Sequence, residues 1–227
     1  MAVTWSTSNK SGGATLSNGN LTATSTTVVN TAMGRSDTSF SSGSFYWEMS
    51  CDLDSASSIA GGIANSTETY ATGADLAGTV NSVGSYTDGN TYNNSTIVTG
   101  GGGINNYTTG NRIGFAVIAG ASSKLWNRII VGGVPGNWNN AAIGSQNPAT
   151  NTGGINLATL GFTGALFPAY NVNYNGTAQG KITGFFLASS WQGSAPSGFS
   201  SLDPVDVLMS QIVMRPRGPT SSLLMRL

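Results

Sequence analysis

Apolar residues recur at every second position in short runs along this chain, and turn-forming residues separate the runs. Residues 45–53 show this most clearly. Phe45, Trp47, Met49 and Cys51 fall on one face, and Tyr46, Glu48, Ser50 and Asp52 on the other. A period of two belongs to a strand that turns one face to a core. Residues 3–5 are short and apolar, and residues 16–29 read as a Thr- and Val-rich strand with alternation around Leu21, Ala23 and Val28. Residues 59–64 form an apolar run containing glycine. Residues 80–86 run into Asp88-Gly89, a dipeptide suited to a tight hairpin, with Tyr92 just beyond. Residues 113–118 are continuously apolar, as a strand buried on both faces would be. Residues 124–130, 166–172 and 182–187 supply further strands. Helical periodicity is almost absent. The pattern predicts an all-β fold, an antiparallel β-sandwich of the jelly-roll kind.

The connections are rich in glycine, notably at residues 99–103, 132–144 and 151–154, yet none has the length or bias of an interdomain linker. One domain over residues 1–202 is the economical reading. Residues 203–227 differ. Residues 205–214 are apolar with few turn formers, Arg215-Pro-Arg-Gly-Pro219 then breaks any regular element, and the chain closes on Leu223-Leu-Met-Arg-Leu227. An apolar tail is poorly suited to water. The expectation is a strand over residues 207–214 against the N-terminal strand, followed by a docking arm.

Composition narrows the function. Charged residues make up 8% of the chain, against about 25% in an average soluble protein, and nine basic residues balance nine acidic ones. Nucleic-acid binding needs a clustered basic footprint, which is missing. No run approaches the roughly 18 apolar residues of a membrane-spanning helix, so no membrane insertion is expected. The first ten residues are polar and do not resemble an export signal, so release by lysis or assembly is the expectation. Gly, Ser, Thr and Asn replace charge, a composition suited to exposure on a particle.

Candidate chemistry is sparse. The chain has no histidine and one cysteine, Cys51. Triads built on histidine, thiolate sites and zinc sites are excluded on that count. Paired carboxylates are the acid–base set left. Asp52 and Asp54 lie two apart, but no calcium-loop pattern surrounds them. The glycine run at residues 100–103 is not followed by a helix, so it has no phosphate-binding geometry. The expectation is no enzyme, no catalytic residues, no cofactor and no metal.

Several segments, in order, resemble those of SPRY domains. Gly43-Ser-Phe-Tyr-Trp-Glu48 is similar to the strand that opens them, and Ile59-Ala-Gly-Gly-Ile-Ala64 to the next. Val83-Gly-Ser-Tyr-Thr-Asp-Gly89, with Tyr92 and Asn94, resembles the family's Asp-Gly hairpin. Tyr107-Thr-Thr-Gly-Asn-Arg-Ile-Gly-Phe-Ala-Val117 and Lys124-Leu-Trp126 resemble the following two strands. Asn137-Trp138, Asn147-Pro-Ala149 and Gly153-Gly154 resemble a loop common in phage versions, while Leu166-Phe-Pro-Ala169 and Pro196-Ser-Gly-Phe199 match later pieces. The departures are Asn111 in place of Asp, residues 127–132 in place of Asn-Gly, and a reduced strand at residues 180–184. The resemblance covers residues 43–202 and implies the sandwich. The partner does not carry over with it.

The expected function is a structural or attachment protein of a bacteriophage particle (tail fibre, baseplate or capsid decoration) that presents a SPRY-like binding sandwich. The alternative is a carbohydrate- or protein-binding module with no tie to a virion. The implied partners are other virion proteins, further copies of the chain, and a host-surface glycan or protein. The implied location is the virion, assembled in the host cytoplasm. Candidate binding positions are Tyr86, Asp88 and Tyr92 on the hairpin and Trp138 and Asn139 on the later loop. Trp138 is flanked by Asn137, Asn139 and Asn140, and an aromatic among amides is a common way to hold a sugar or peptide.

Overall fold

The computed structural model describes residues 2–27, 31–54, 58–98 and 106–203. In chain order its strands are β1 (Trp5–Lys10), β2 (Ala14–Ser17), β3 (Thr22–Ser25), β4 (Thr31–Ser36), β5 (Gly43–Leu53), β6 (Ala60–Asn65), β7 (Ser82–Tyr86) and β8 (Thr91–Asn93). There follow β9 (Thr96–Ile97), β10 (Arg112–Ala119), β11 (Lys124–Val131), β12 (Val134–Pro135), β13 (Ile155–Asn156), β14 (Leu166–Asn173), β15 (Lys181–Phe185) and β16 (Ser200–Ser201). Helical structure among the described residues is limited to short 3-10 turns, including Trp138–Asn140 and Ala188–Ser190. No helix among them is long and apolar enough to cross a membrane.

The strands form two sheets. One runs β1-β4-β14-β6-β7-β8-β9, and the other β12-β11-β10-β5-β15-β3-β2, with β13 on β11 and β16 on β5. Pairing is antiparallel apart from β16, which lies parallel to β5. The expected antiparallel β-sandwich is observed.

The alternation in β5 explains the layering. Trp47, Met49 and Cys51 enter the core between the sheets together with Phe115, Ile63, Tyr170 and Ile182. Trp47 stands opposite Phe115 across the β5–β10 pair, and their rings stack with centroids 5.5 Å apart. Trp5 packs edge-on to Tyr170 at 4.9 Å and to Phe186 at 5.0 Å, while its Nε1 donates to Leu21 O at 2.6 Å. Each large aromatic buries roughly 150–250 Å², so these rings carry much of the contact between sheets. Cys51 is buried there too, and burial pushes its thiol up to about 12.

The opposite faces are covered as well. Tyr46 on β5 joins Trp126 and Trp138 in a cluster on the outer face of the second sheet, packed by Trp191, Ala195 and Phe199. On the first sheet, Leu76 from the long β6–β7 connection sits among Met33, Ala60, Ala64 and Ala169. Glu48, which alternates away from the aromatic core, is fully buried.

Two readings change. Residues 16–29 are not one strand: the chain reverses between β2 and β3 through Asn18, Gly19 and Asn20, all at positive φ. Those residue types tolerate the left-handed region, so turn chemistry prevails over β propensity here. Val28 lies outside the described residues. β4 is a strand that the alternation missed, because Gly34, Arg35 and Ser36 interrupt it. Arg35 nonetheless fits, with its guanidinium 3.8 Å from the Phe167 ring centroid. The strand over residues 207–214 and the arm beyond it lie outside the described residues.

Candidate ligand-binding pocket

The β7–β8 hairpin positions the candidate residues. Gly89 takes φ 84°, its N–H donates to Tyr86 O at 3.0 Å, and the Tyr86 N–H donates to Asn90 O at 2.9 Å. Asp88 Oδ1 accepts from the Asn90 N–H at 2.9 Å, which locks the turn. Asp88 Oδ2 accepts from the Tyr92 hydroxyl at 2.6 Å and from Asn90 Nδ2 at 3.1 Å. The Tyr86 and Tyr92 rings meet edge-on with centroids 5.4 Å apart. The structure thus brings Tyr86, Asp88 and Tyr92 together.

The β6–β7 connection supplies the facing wall. Burial of Leu76 fixes it, its N–H donates to Asn171 Oδ1 at 3.2 Å, and its carbonyl accepts from the Tyr86 hydroxyl. Asp75 is carried beside Tyr86 as a result. Ala77 is held at φ 68°, a left-handed conformation unusual for alanine, by a bond from its N–H to Ser82 Oγ at 2.8 Å and one from the Ser95 N–H to its carbonyl at 2.8 Å. Between the wall and the hairpin lies a cavity of about 300 Å³, lined by Asp75, Leu76, Tyr86, Asp88 and Tyr92 among others.

Its electrostatics follow from crowding and charge. Asp75 remains exposed, yet the walls strip part of its hydration and raise its carboxyl above the usual value, with a hydrogen bond to Asn171 opposing. The Tyr86 hydroxyl is raised by burial first, then by the charges of Asp75 and Asp88. Tyr92 is raised chiefly by the hydrogen bond it donates to Asp88. Asp75 is the site residue that the alternation did not flag. Its signal was the apolar pair Leu76-Ala77 within an otherwise polar stretch.

Trp138 and Asn139 lie elsewhere. Trp138 is 8% exposed, edge-on to Tyr46 at 6.3 Å and beneath the Arg128 guanidinium at 4.2 Å. Asn139 is fully buried at φ 46°. Its Oδ1 accepts from the Asn127 N–H at 3.0 Å, and its Nδ2 donates to Gln146 Oε1 at 2.9 Å. Both fasten their loop to the sheet, and neither reaches the pocket. Trp126 acts alike, donating Nε1 to Thr152 O at 3.0 Å. A larger groove of about 480 Å³ runs between β8–β9 and residues 154–160, but no ionisable side chain lines it. Asp52 accepts from Thr183 Oγ1 at 2.5 Å and from Ser50 Oγ, while Asp54 accepts from Thr87 Oγ1 at 3.5 Å. Among the described residues no group of three or more His, Cys, Asp or Glu could hold a metal.

No family model matches the chain, and no curated protein matches it. Solved structures do match. The SPRY domain of human HERC1 superposes with a TM-score of 0.55 at 13% identity, over 80% of this chain and 96% of that one. The fold is SPRY-like. The TRIM65 PSpry domain gives a TM-score of 0.49 at 12% identity, over 81% of this chain and 89% of that one. Within the SPRY-like sandwich, the segments that resemble the family fall on β5, β6, the β7–β8 hairpin, β10, β11 and β14. At this identity the likeness establishes the fold and bears on neither ligand nor virion.

Proposed function

We propose that this protein is a non-catalytic recognition module whose ligand enters the Tyr86–Asp88–Tyr92 pocket. The observation that carries this reading is the concave site itself: two aromatic rings and two carboxylates converge on it from two separate segments. Concave sites with apolar walls and a few convergent polar groups are where ligands ordinarily bind. The lack of histidine and the engagement of Asp52 with Ser50 and Thr183 favour binding over chemistry.

The experiment is a combined glycan and peptide array, read with the wild type and with Tyr92→Ala. Tyr92 is part-exposed, so its loss leaves the sandwich folded. A ligand of this pocket is expected to bind the variant about tenfold more weakly or worse, a difference of about 1.4 kcal/mol. Wild-type signals that match a blank surface, or that the variant leaves unchanged, end this reading.

The setting we propose is a bacteriophage particle, in which copies of the chain display the module to a host surface. What supports it is a charge-poor composition rich in Gly, Ser, Thr and Asn, together with the apolar segment beyond residue 203. Many weak contacts on one particle would add as avidity. Mass spectrometry of purified particles encoded by the same genome tests it, and absence of the chain from them removes the virion from the proposal.

A further inference from the structure

The pocket's hydrogen-bonding inventory identifies the chemistry of its ligand. This inference rests on the recognition reading above and goes one step further. The hydroxyl of Thr31 donates to Gly73 O at 2.8 Å, that of Tyr86 to Leu76 O, and that of Tyr92 to Asp88 at 2.6 Å. The N–H of Leu76 is held by Asn171, that of Ala77 by Ser82, and that of Gly78 by Asp75 O at 3.0 Å. These donors of the lining are therefore committed to protein acceptors. What faces the cavity is anionic and rich in acceptors: the Asp75 carboxylate, the Asp88 carboxylate that also accepts from Asn90 and Tyr92, and two phenol oxygens whose protons point elsewhere. No Lys or Arg lines it.

Such a surface discriminates. An anion would meet two negative charges and no cation. A neutral sugar needs donors as well as acceptors, and the hydroxyls of Thr31, Tyr86 and Tyr92 are spent on protein acceptors. A cation with several N–H groups satisfies the acceptors and balances the two carboxylate charges. The paired Tyr86 and Tyr92 rings add the π surface that a flat cation favours. A guanidinium combines a planar face with a fork of N–H donors matched to carboxylates, which a compact ammonium lacks. We propose that the pocket takes the arginine side chain of a protein partner.

The test uses the intact chain, with acetyl-arginine amide and its neutral isostere acetyl-citrulline amide as probes, followed by amide NMR. Saturable shifts at Tyr86, Asp88 and Tyr92 are expected with the arginine probe. The citrulline probe should bind about tenfold more weakly or worse, as should arginine to the Asp75→Asn/Asp88→Asn double variant. Asparagine at 88 keeps an oxygen for the Asn90 N–H, so the hairpin is retained, and unchanged shifts far from the pocket verify that. Equal binding of the two probes, or full arginine binding by the double variant, overturns the inference. A neutral glycan that shifts the same resonances when arginine does not keeps the recognition reading and ends the arginine one. Shifts from no ligand at all end both.

Discussion

Glu48→Ala is expected to destabilise the protein by about 3–5 kcal/mol, the usual cost of breaking a buried ion pair from one side. Glu48 is fully buried in the middle of β5, opposite Gly114 on β10 and Phe185 on β15. Its Oε2 accepts from Arg112 Nη1 at 3.0 Å and from the Gln192 N–H at 2.8 Å. Its Oε1 accepts from the Tyr46 hydroxyl and the Gly193 N–H, each at 2.8 Å. Alanine would strand one guanidinium, one phenol and two backbone N–H groups beneath the loop that covers the second sheet. Arg112 keeps its bond to Ser190 O at 2.8 Å and its place 3.6 Å from the Phe185 ring centroid, but its charge loses the carboxylate that compensates it. Globular domains hold about 5–15 kcal/mol in total, so the loss is a large share. Urea denaturation measures it, and hydrogen exchange at Gln192 and Gly193 should accelerate selectively. Glu48→Gln keeps the shape and one acceptor oxygen, so about 1–3 kcal/mol is expected for that variant. Equal costs for the two variants would show that the side chain's volume, and not its hydrogen bonds, holds the loop.

That residue also shows what could be read from the chain and what could not. The period-two pattern placed Glu48 on the face opposite Trp47 correctly, since alternation is a property of the local backbone. It could not say that this face is covered, because the covering residues 186–199 come from more than 130 positions further along. The same limit applies to Trp138. Its flanking amides resemble a binding loop, yet Asn139 spends its amide on Asn127 and Gln146, which is a matter of tertiary contact. β4 escaped notice because Arg35 sits where an apolar residue would be expected, and only the Phe167 ring explains it. The hairpin half of the pocket was legible, since Asp88-Gly89 encodes its own turn. The facing half was not. Asp75 reaches Tyr86 through the burial of Leu76 on a sheet whose strands are distant in sequence.

Gly62→Ala is expected to cost about 3 kcal/mol or more, through backbone displacement and not through a lost contact. Gly61 and Gly62 lie in the middle of β6, between β14 and β7. A Cβ at Gly62 would fall 1.9 Å from Val83 O and 2.9 Å from Val83 C, atoms that cannot rotate away. To admit the methyl group, β7 must separate from β6 around the Gly62–Gly84 pair. β7 leads directly into the hairpin that carries Tyr86, Asp88 and Tyr92, so the damage should reach the pocket. Gly176→Ala provides the contrast. Gly176 has φ 87° with nothing within 4 Å of the added carbon, so only left-handed strain applies, about 1–2 kcal/mol. Denaturant midpoints rank the two variants, and amide NMR locates the disturbance. If Gly62→Ala is no worse than Gly176→Ala, the close approach of β6 and β7 is not as tight as these distances state.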